Sequence, residues 1–311
     1  MGAQPKCNLI IDSCCDLPYE VVNREGVELL EFPYVDEQGE HSDDFYQSLT
    51  PHEFYEGMRQ GSQPSTAQVP MAKFQEVFTR AVESGVPTVY LSFTSGLSGS
   101  LNTAMLVRDQ LVAEHPDAEL YVVDTCLASV AEALLVYEAL NQRDNGMTAR
   151  ELAAWAEEAR YYVDAEFMVD DLEALRRGGR IPNSVAYAGS KLDVKPLLSI
   201  TIEGKLALTG VARGRKKGIK QLAEYCTKRM GDHVPGRCVV IGNADCPKDA
   251  ARLKELLAKT DDNLLFLESS IGPVIGSHVG PGMLAVVFWG GDKREDLSVA
   301  DRIARKIKKE G

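Results

Sequence analysis

The side chains able to do chemistry gather in a few turns. Three of these turns follow short apolar runs: Asp12-Ser13-Cys14-Cys15-Asp16, Thr94-Ser95-Gly96-Leu97-Ser98-Gly99-Ser100 and Asp124-Thr125. A hydroxyl in such a turn, with a helix starting behind it, converges with the helix's free N–H groups on one point, which suits an anion. Each Ser or Thr taken singly is also an ordinary helix cap. The coincidence of three ends is what points to a site, because ligands of parallel α/β sheets collect outside the carboxyl ends of the strands. A further polar loop, Pro64-Ser65-Thr66-Ala67-Gln68-Val69-Pro70, precedes a helix. Residues 272–282 hold His278 among four glycines and two prolines. They read as a tight loop that can bring an imidazole close to a ligand. Two basic clusters stand out, Arg176-Arg177-Gly178-Gly179-Arg180 and Arg213-Gly214-Arg215-Lys216-Lys217. Each is either solvated surface or a seat for a phosphate or an acidic partner.

The elements that position these groups alternate through the first half. Residues 9–11, 88–93 and 120–123 read as buried strands, and 71–84 and 102–114 as helices, the pattern of a parallel sheet. Thr148 and Glu151 form a capping box, and Leu152, Trp155, Ala159 and Tyr162 follow at helical spacing. The second half offers strands near 167–169, 197–202, 206–211, 238–241, 264–267 and 284–289. Glu203-Gly204-Lys205 joins two of them as a hairpin, so this sheet must contain antiparallel pairs. The expected architecture is α/β in two domains. Residues 1–163 carry a parallel α/β/α sheet, and residues 164–311 an α/β domain with a mixed sheet. The basic, partly apolar tail from Arg302 to Lys309 reads as a solvated helix face.

Charge and composition narrow the function. The 311 residues carry 34 basic and 46 acidic side chains, net −12, with 44% hydrophobic and 26% charged residues. These are globular values, and the acidity argues against a broad nucleic-acid surface. No apolar run reaches the ~18 residues of a membrane span. Seven cysteines without a CxxC pair, and no basic-apolar leader, read as reduced thiols in a cytoplasmic protein. The five histidines are scattered, so no short-range metal motif is present and neither a metal nor a cofactor is expected.

Taken in order, these segments resemble the DegV family of bacterial fatty-acid-binding proteins. The likeness runs through Asp12-Ser13 with Asp16-Leu17, Thr66 with Gln68, Gly96-Leu97-Ser98-Gly99 and Val123-Asp124-Thr125. It continues through Leu175 with Gly178-Gly179-Arg180-Ile181, Lys195-Pro196, Arg213-Gly214 and residues 275–282. The resemblance implies two α/β domains with a long-chain fatty acid between them, its acyl chain in an apolar tunnel. It implies a carboxylate bound by Thr66, Ser98 and His278, with Arg180 and Arg213 in phosphate or kinase contact. It also implies a non-catalytic subunit that presents the carboxylate to a separate ATP-binding kinase subunit, which makes the acyl phosphate. Two departures matter. The family's Thr-Ser-Gln-Pro loop reads Thr66-Ala67-Gln68-Val69, and Gly61-Ser62-Gln63-Pro64 offers a second register with Ser62 as the hydroxyl. Cys14-Cys15 replaces small polar residues.

Elementary chemistry sets what such a site must do. Each buried methylene contributes about 0.8 kcal/mol before ordering costs, whereas a desolvated carboxylate needs donors to replace its hydration. Neutral hydroxyl and imidazole donors meet that need and leave the carboxylate nucleophilic. Two other functions compete on sequence grounds. One is a lipid carrier or sensor without a kinase. The other is a serine hydrolase using Ser98, His278 and Asp12 or Asp124, although Ser98 lies outside a Gly-x-Ser-x-Gly elbow. A self-contained kinase lacks its phosphate-binding loop.

Overall fold

A computed structural model describes residues 5–182, 193–230 and 238–298. In chain order the strands are β1 (Asn8–Asp12), β2 (Val27–Leu30), β3 (Pro33–Asp36), β4 (Gly39–Ser42), β5 (Ser65–Thr66), β6 (Thr88–Ser92) and β7 (Leu120–Asp124). They continue as β8 (Val163–Met168), β9 (Val194–Ile200), β10 (Leu206–Arg213), β11 (Cys238–Asn243), β12 (Leu265–Ser270) and β13 (Leu284–Trp289). The helices are α1 (Tyr19–Val22), α2 (Pro51–Arg59), α3 (Met71–Glu83), α4 (Ser100–Glu114), α5 (Val130–Asp144), α6 (Ala149–Ala159), α7 (Glu173–Arg177), α8 (Arg215–Arg229), α9 (Pro247–Ala258) and α10 (Pro273–Val279).

The apolar runs of the first half form a parallel sheet in the order β2-β1-β6-β7. The second half forms a six-stranded mixed sheet, β10-β9-β8-β13-β11-β12, in which only β11 and β12 pair in parallel. The expected α/β architecture, one parallel and one mixed sheet, is therefore present. A third, small antiparallel sheet, β4-β3-β5, was not anticipated. Its strands have two to four residues, too short for an alternating pattern to register.

Alternation along β13 divides the second sheet's two faces. Leu284, Val286 and Phe288 pack with Ile219, Leu222, Leu253 and Leu257 of α8 and α9. Ala285 and Val287 turn the other way, into a core shared with α5 and the first sheet. The tail from Arg302 to Lys309 lies outside the described residues.

Local chemistry fixes the remaining ends. The capping box at Thr148 and Glu151 is formed, and Thr50 with Glu53 makes a second at the start of α2. The 272–282 segment departs from expectation, since most of it is the helix α10 rather than a loop. Pro273 stands in its first turn and Gly280, with φ +75°, ends it, so the residues that suggested a loop are the helix's start and stop signals. The hairpin between β9 and β10 docks its tip on the first half. Thr94 donates to the Gly204 carbonyl at 3.1 Å, and Gly204 needs its φ of +70° and its bare Cα because Thr94 and Cys126 press against it.

Candidate functional site

The carboxyl ends of β1 and β6, the start of α5, the β8–β13 ladder and α10 enclose a cavity of about 250 Å³. Phe32, Phe93, Phe167, Val274, Met283 and Val287 are among its apolar walls, and Thr66, Ser98, Arg180 and His278 are among its polar ones. Four motifs separated by up to 212 residues thus meet in one place.

Each polar group is held by its own element. Thr66 sits on β5 opposite Tyr34 of β3, and its Oγ1 lies 2.8 Å from His278 Nε2. Ser98 precedes α4, where its Oγ accepts from Ser100 N–H at 3.2 Å and lies 3.1 Å from Ser100 Oγ. Ser100 Oγ in turn accepts from Val69 N–H at 3.2 Å, which ties the Thr66 loop to the Ser98 turn. Arg180 donates from Nε to the Leu97 carbonyl at 3.2 Å and from a terminal nitrogen to Gly178 O. It has no carboxylate partner among the described residues, so a cation faces the cavity uncompensated.

His278 stands near the end of α10, and the first half anchors that helix. Asp16 accepts from Gly272 N–H at 2.8 Å, and Asp43 from Val274 N–H at 3.4 Å. Tyr46 and Tyr55 both donate to the Ile271 carbonyl, at 2.6 and 2.8 Å. The imidazole packs so closely on Gly178 that any Cβ there would overlap Nδ1. Nδ1 is buried and has no hydrogen-bond partner. Burial, then the charges of Arg180 and Arg177, lowers the His278 pKa from 6.5 to about 4, so the ring is neutral at pH 7.

The other expected groups do not line the cavity. Ser62 bonds Glu37 at 2.6 Å and does not line the cavity. Arg213 ends β10 in an exposed position off the cavity. Asp12 is buried, accepting from Phe93 N–H at 2.7 Å, Tyr90 OH at 2.9 Å and Cys14 N–H at 3.1 Å. Asp124 accepts from Ser95 and Cys126, and Thr125 donates to the Ser92 carbonyl at 2.8 Å. The hydrolase triad is therefore not assembled: His278 bonds Thr66, its Nδ1 meets no carboxylate, and Ser98 bonds Ser100.

Behind the cavity lies a set of buried carboxyls that sequence reasoning passed over as a group. Burial raises Asp12 and Asp43 to about 7, against the pull of their donors. Asp16 and Glu132 are pushed well above the usual range by burial first and neighbouring carboxylates second. Neither oxygen of Glu132 has a partner. No three His, Cys, Asp or Glu side chains among the described residues could hold a metal ion, and no described helix is long and apolar enough to cross a membrane.

The family model described as "Uncharacterised protein, DegV family" matches residues 6–290. A DegV domain-containing protein of Clostridium perfringens is 36% identical over 285 residues, covering 92% of this chain and 98% of the relative. A fatty acid binding DegV family protein from Streptococcus agalactiae superimposes with a TM-score of 0.79 at 27% identity, over 93% of this chain and 100% of that one. The Streptococcus pneumoniae Fatty Acid Kinase (Fak) B3 protein loaded with linoleic acid shares the fold, with a TM-score of 0.80 at 19% identity over 92% and 100%. A family match of that length, with the motifs gathered on one cavity, decides the identity: the chain belongs to the DegV family.

Proposed function

We propose that this protein binds a long-chain fatty acid between residues 1–163 and 164–311 and presents its carboxylate to a separate ATP-dependent kinase subunit. The observation that carries the reading is the meeting of Thr66, Ser98, His278 and Arg180 on a cavity otherwise walled by apolar side chains. The solved relative from Streptococcus agalactiae is described as fatty acid binding, which supports the ligand class. The kinase step follows from the family resemblance.

Hydrogen-bond counting supports one head-group arrangement. Thr66 has one proton to donate. For that proton to reach a carboxylate, the 2.8 Å contact with His278 must run the other way, from Nε2–H to Thr66 Oγ1. The bare nitrogen is then Nδ1, the atom left without a partner. A neutral imidazole thus polarises Thr66, which donates to the carboxylate, and Ser98 does the same once its 3.1 Å contact runs from Ser100 OH to Ser98 Oγ. Arg180 adds long-range attraction without a bidentate grip, which keeps the oxygen free to attack a phosphoryl group. Formation of the acyl phosphate adds negative charge, draws Arg180 closer and raises the His278 pKa toward the cationic form.

Native mass spectrometry followed by organic extraction tests the binding. A stoichiometric fatty acid is expected, and loss of its carboxylate anchoring in Thr66→Ala and His278→Ala. A protein that arrives empty and takes up no added fatty acid overturns the reading. Arg180→Ala separates the two halves of the proposal, since binding should weaken only by the long-range attraction while acyl-phosphate formation with a supplied kinase subunit falls much further.

A further inference from the structure

The cavity ends abruptly along the β8–β13 ladder. On the cavity face, successive rungs pair Phe167 with Ala285, Ala165 with Val287 and Val163 with Trp289. The first two rungs line the cavity and the third does not. Helix α5 shows the same break, because Ala128 and Val130-Ala131 line the cavity whereas Leu134, one turn further, does not. Beyond the break a second, larger groove of about 820 Å³ opens along the same helix and strand. Leu134, Tyr137, Trp155, Tyr162 and Trp289 are among the described residues lining it. Trp155 braces Trp289 edge-on, with ring centroids 6.4 Å apart. One layer of side chains, Leu134, Val163 and Trp289, therefore separates the cavity from a groove with an aromatic and aliphatic floor and a polar rim of Glu138, Asn141, Gln142 and Glu158.

We infer that this layer is the floor of the acyl cavity and sets the longest chain the protein accepts. The inference rests on the fatty-acid reading above. A rung of the ladder is about 7 Å deep, so adding or removing one changes the accommodated chain by several methylenes. Small side chains occupy the last open rung, Ala165 and Val287, and bulky ones the floor. A chain one rung too long meets Trp289 and must bend or leave its carboxylate short of Thr66. Removing the floor joins the cavity to the groove behind it, which has room for the excess methylenes.

The test uses the full chain and a series of saturated fatty acids from lauric to arachidic, competing against one fluorescent fatty acid. Val287→Phe fills the last rung and should weaken the longest members at least ~10-fold while sparing the shortest. Trp289→Ala should do the reverse and improve the longest members by a similar factor. If Val287→Phe does not fold, Ala165→Val makes a smaller step in the same direction. An unchanged length profile in the folded variants, with wild-type binding intact, overturns the floor alone. A wild-type protein that takes up no member of the series overturns the fatty-acid reading, and the floor with it.

Discussion

Gly178→Ala adds one methyl group and removes no chemistry, so it isolates the placement of His278. The position is helical, with φ −71°, and alanine meets no backbone strain there. Its Cβ would lie 2.8 Å from His278 Cε1 and nearer still to Nδ1, against the ~3.5–4.0 Å at which carbon atoms pack. The ring must move by about 1 Å. The contact from Nε2 to Thr66, 2.8 Å long, does not survive a shift of that size in either direction, because such bonds span only about 2.7–3.2 Å. Losing the neutral hydrogen bond that orients Thr66 costs about 0.5–1.5 kcal/mol, which predicts binding weakened roughly 2- to 10-fold. Overpacking lowers stability by a further ~1–3 kcal/mol. Fatty-acid competition and thermal melts of Gly178→Ala, His278→Ala and the double variant check both figures. In the double variant the methyl group has room, so it should cost neither additional affinity nor stability. An equal penalty from the methyl with and without the imidazole would refute the reasoning.

Four other outcomes are expected. His278 should show no imidazole titration by NMR between pH 8 and 5, because its pKa is near 4. Its contribution to stability is present above the unfolded value of about 6.5 and is lost as pH falls through 4. Asp12 and Asp43, raised to about 7, act in the opposite sense, with stability full below an unfolded pKa near 3.9 and lost as pH rises through 7. Asp16 and Glu132 shift the same way, so four acids outweigh one base and the melting temperature should fall from pH 5 to pH 8. Glu132→Met removes a buried, unpartnered carboxyl and should stabilise the fold by about 1–3 kcal/mol at pH 8, and by less at pH 5, in denaturant titrations. Tyr46→Phe and Tyr55→Phe should each cost about 1 kcal/mol, and the pair more than their sum, since only together do they orphan the Ile271 carbonyl.

Sequence patterns carried the strands β1, β6 and β13 because each is a continuous apolar run buried on both faces, and β7 because its run is apolar although it is a half-buried edge strand. They carried only the end of β8. Asp164 and Glu166 break its run, and their partners come from elsewhere: Arg229 and Tyr225 for Asp164, Thr209 for Glu166. Helix α5 went unread for the opposite reason, since Val130 through Val136 are buried on every side and leave no amphipathic period to find. At the site, Thr66, Ser98, Arg180 and His278 were legible from motif order. The supports beneath them were not, because their meaning lies in distant contacts. Tyr46 reaches across 225 residues to Ile271, and Gly178 is a spacer only once His278 lies against it.

Strand β13 sits between β8 and β11 in the middle of its sheet and supplies one wall of the cavity, yet it is the last strand of the described chain. On the ribosome, Met168 emerges 121 residues before Trp289, roughly 6–24 s earlier at 5–20 residues per second. Through that interval the edge of β8 that pairs with β13 and the α5 side chains that pack on β13 stay uncovered, and the cavity lacks one wall. On the fatty-acid reading, occupancy therefore requires that β13 has been made. A nascent chain stopped short of residue 284 lacks Ala285 and Val287, the side chains with which β13 walls the cavity.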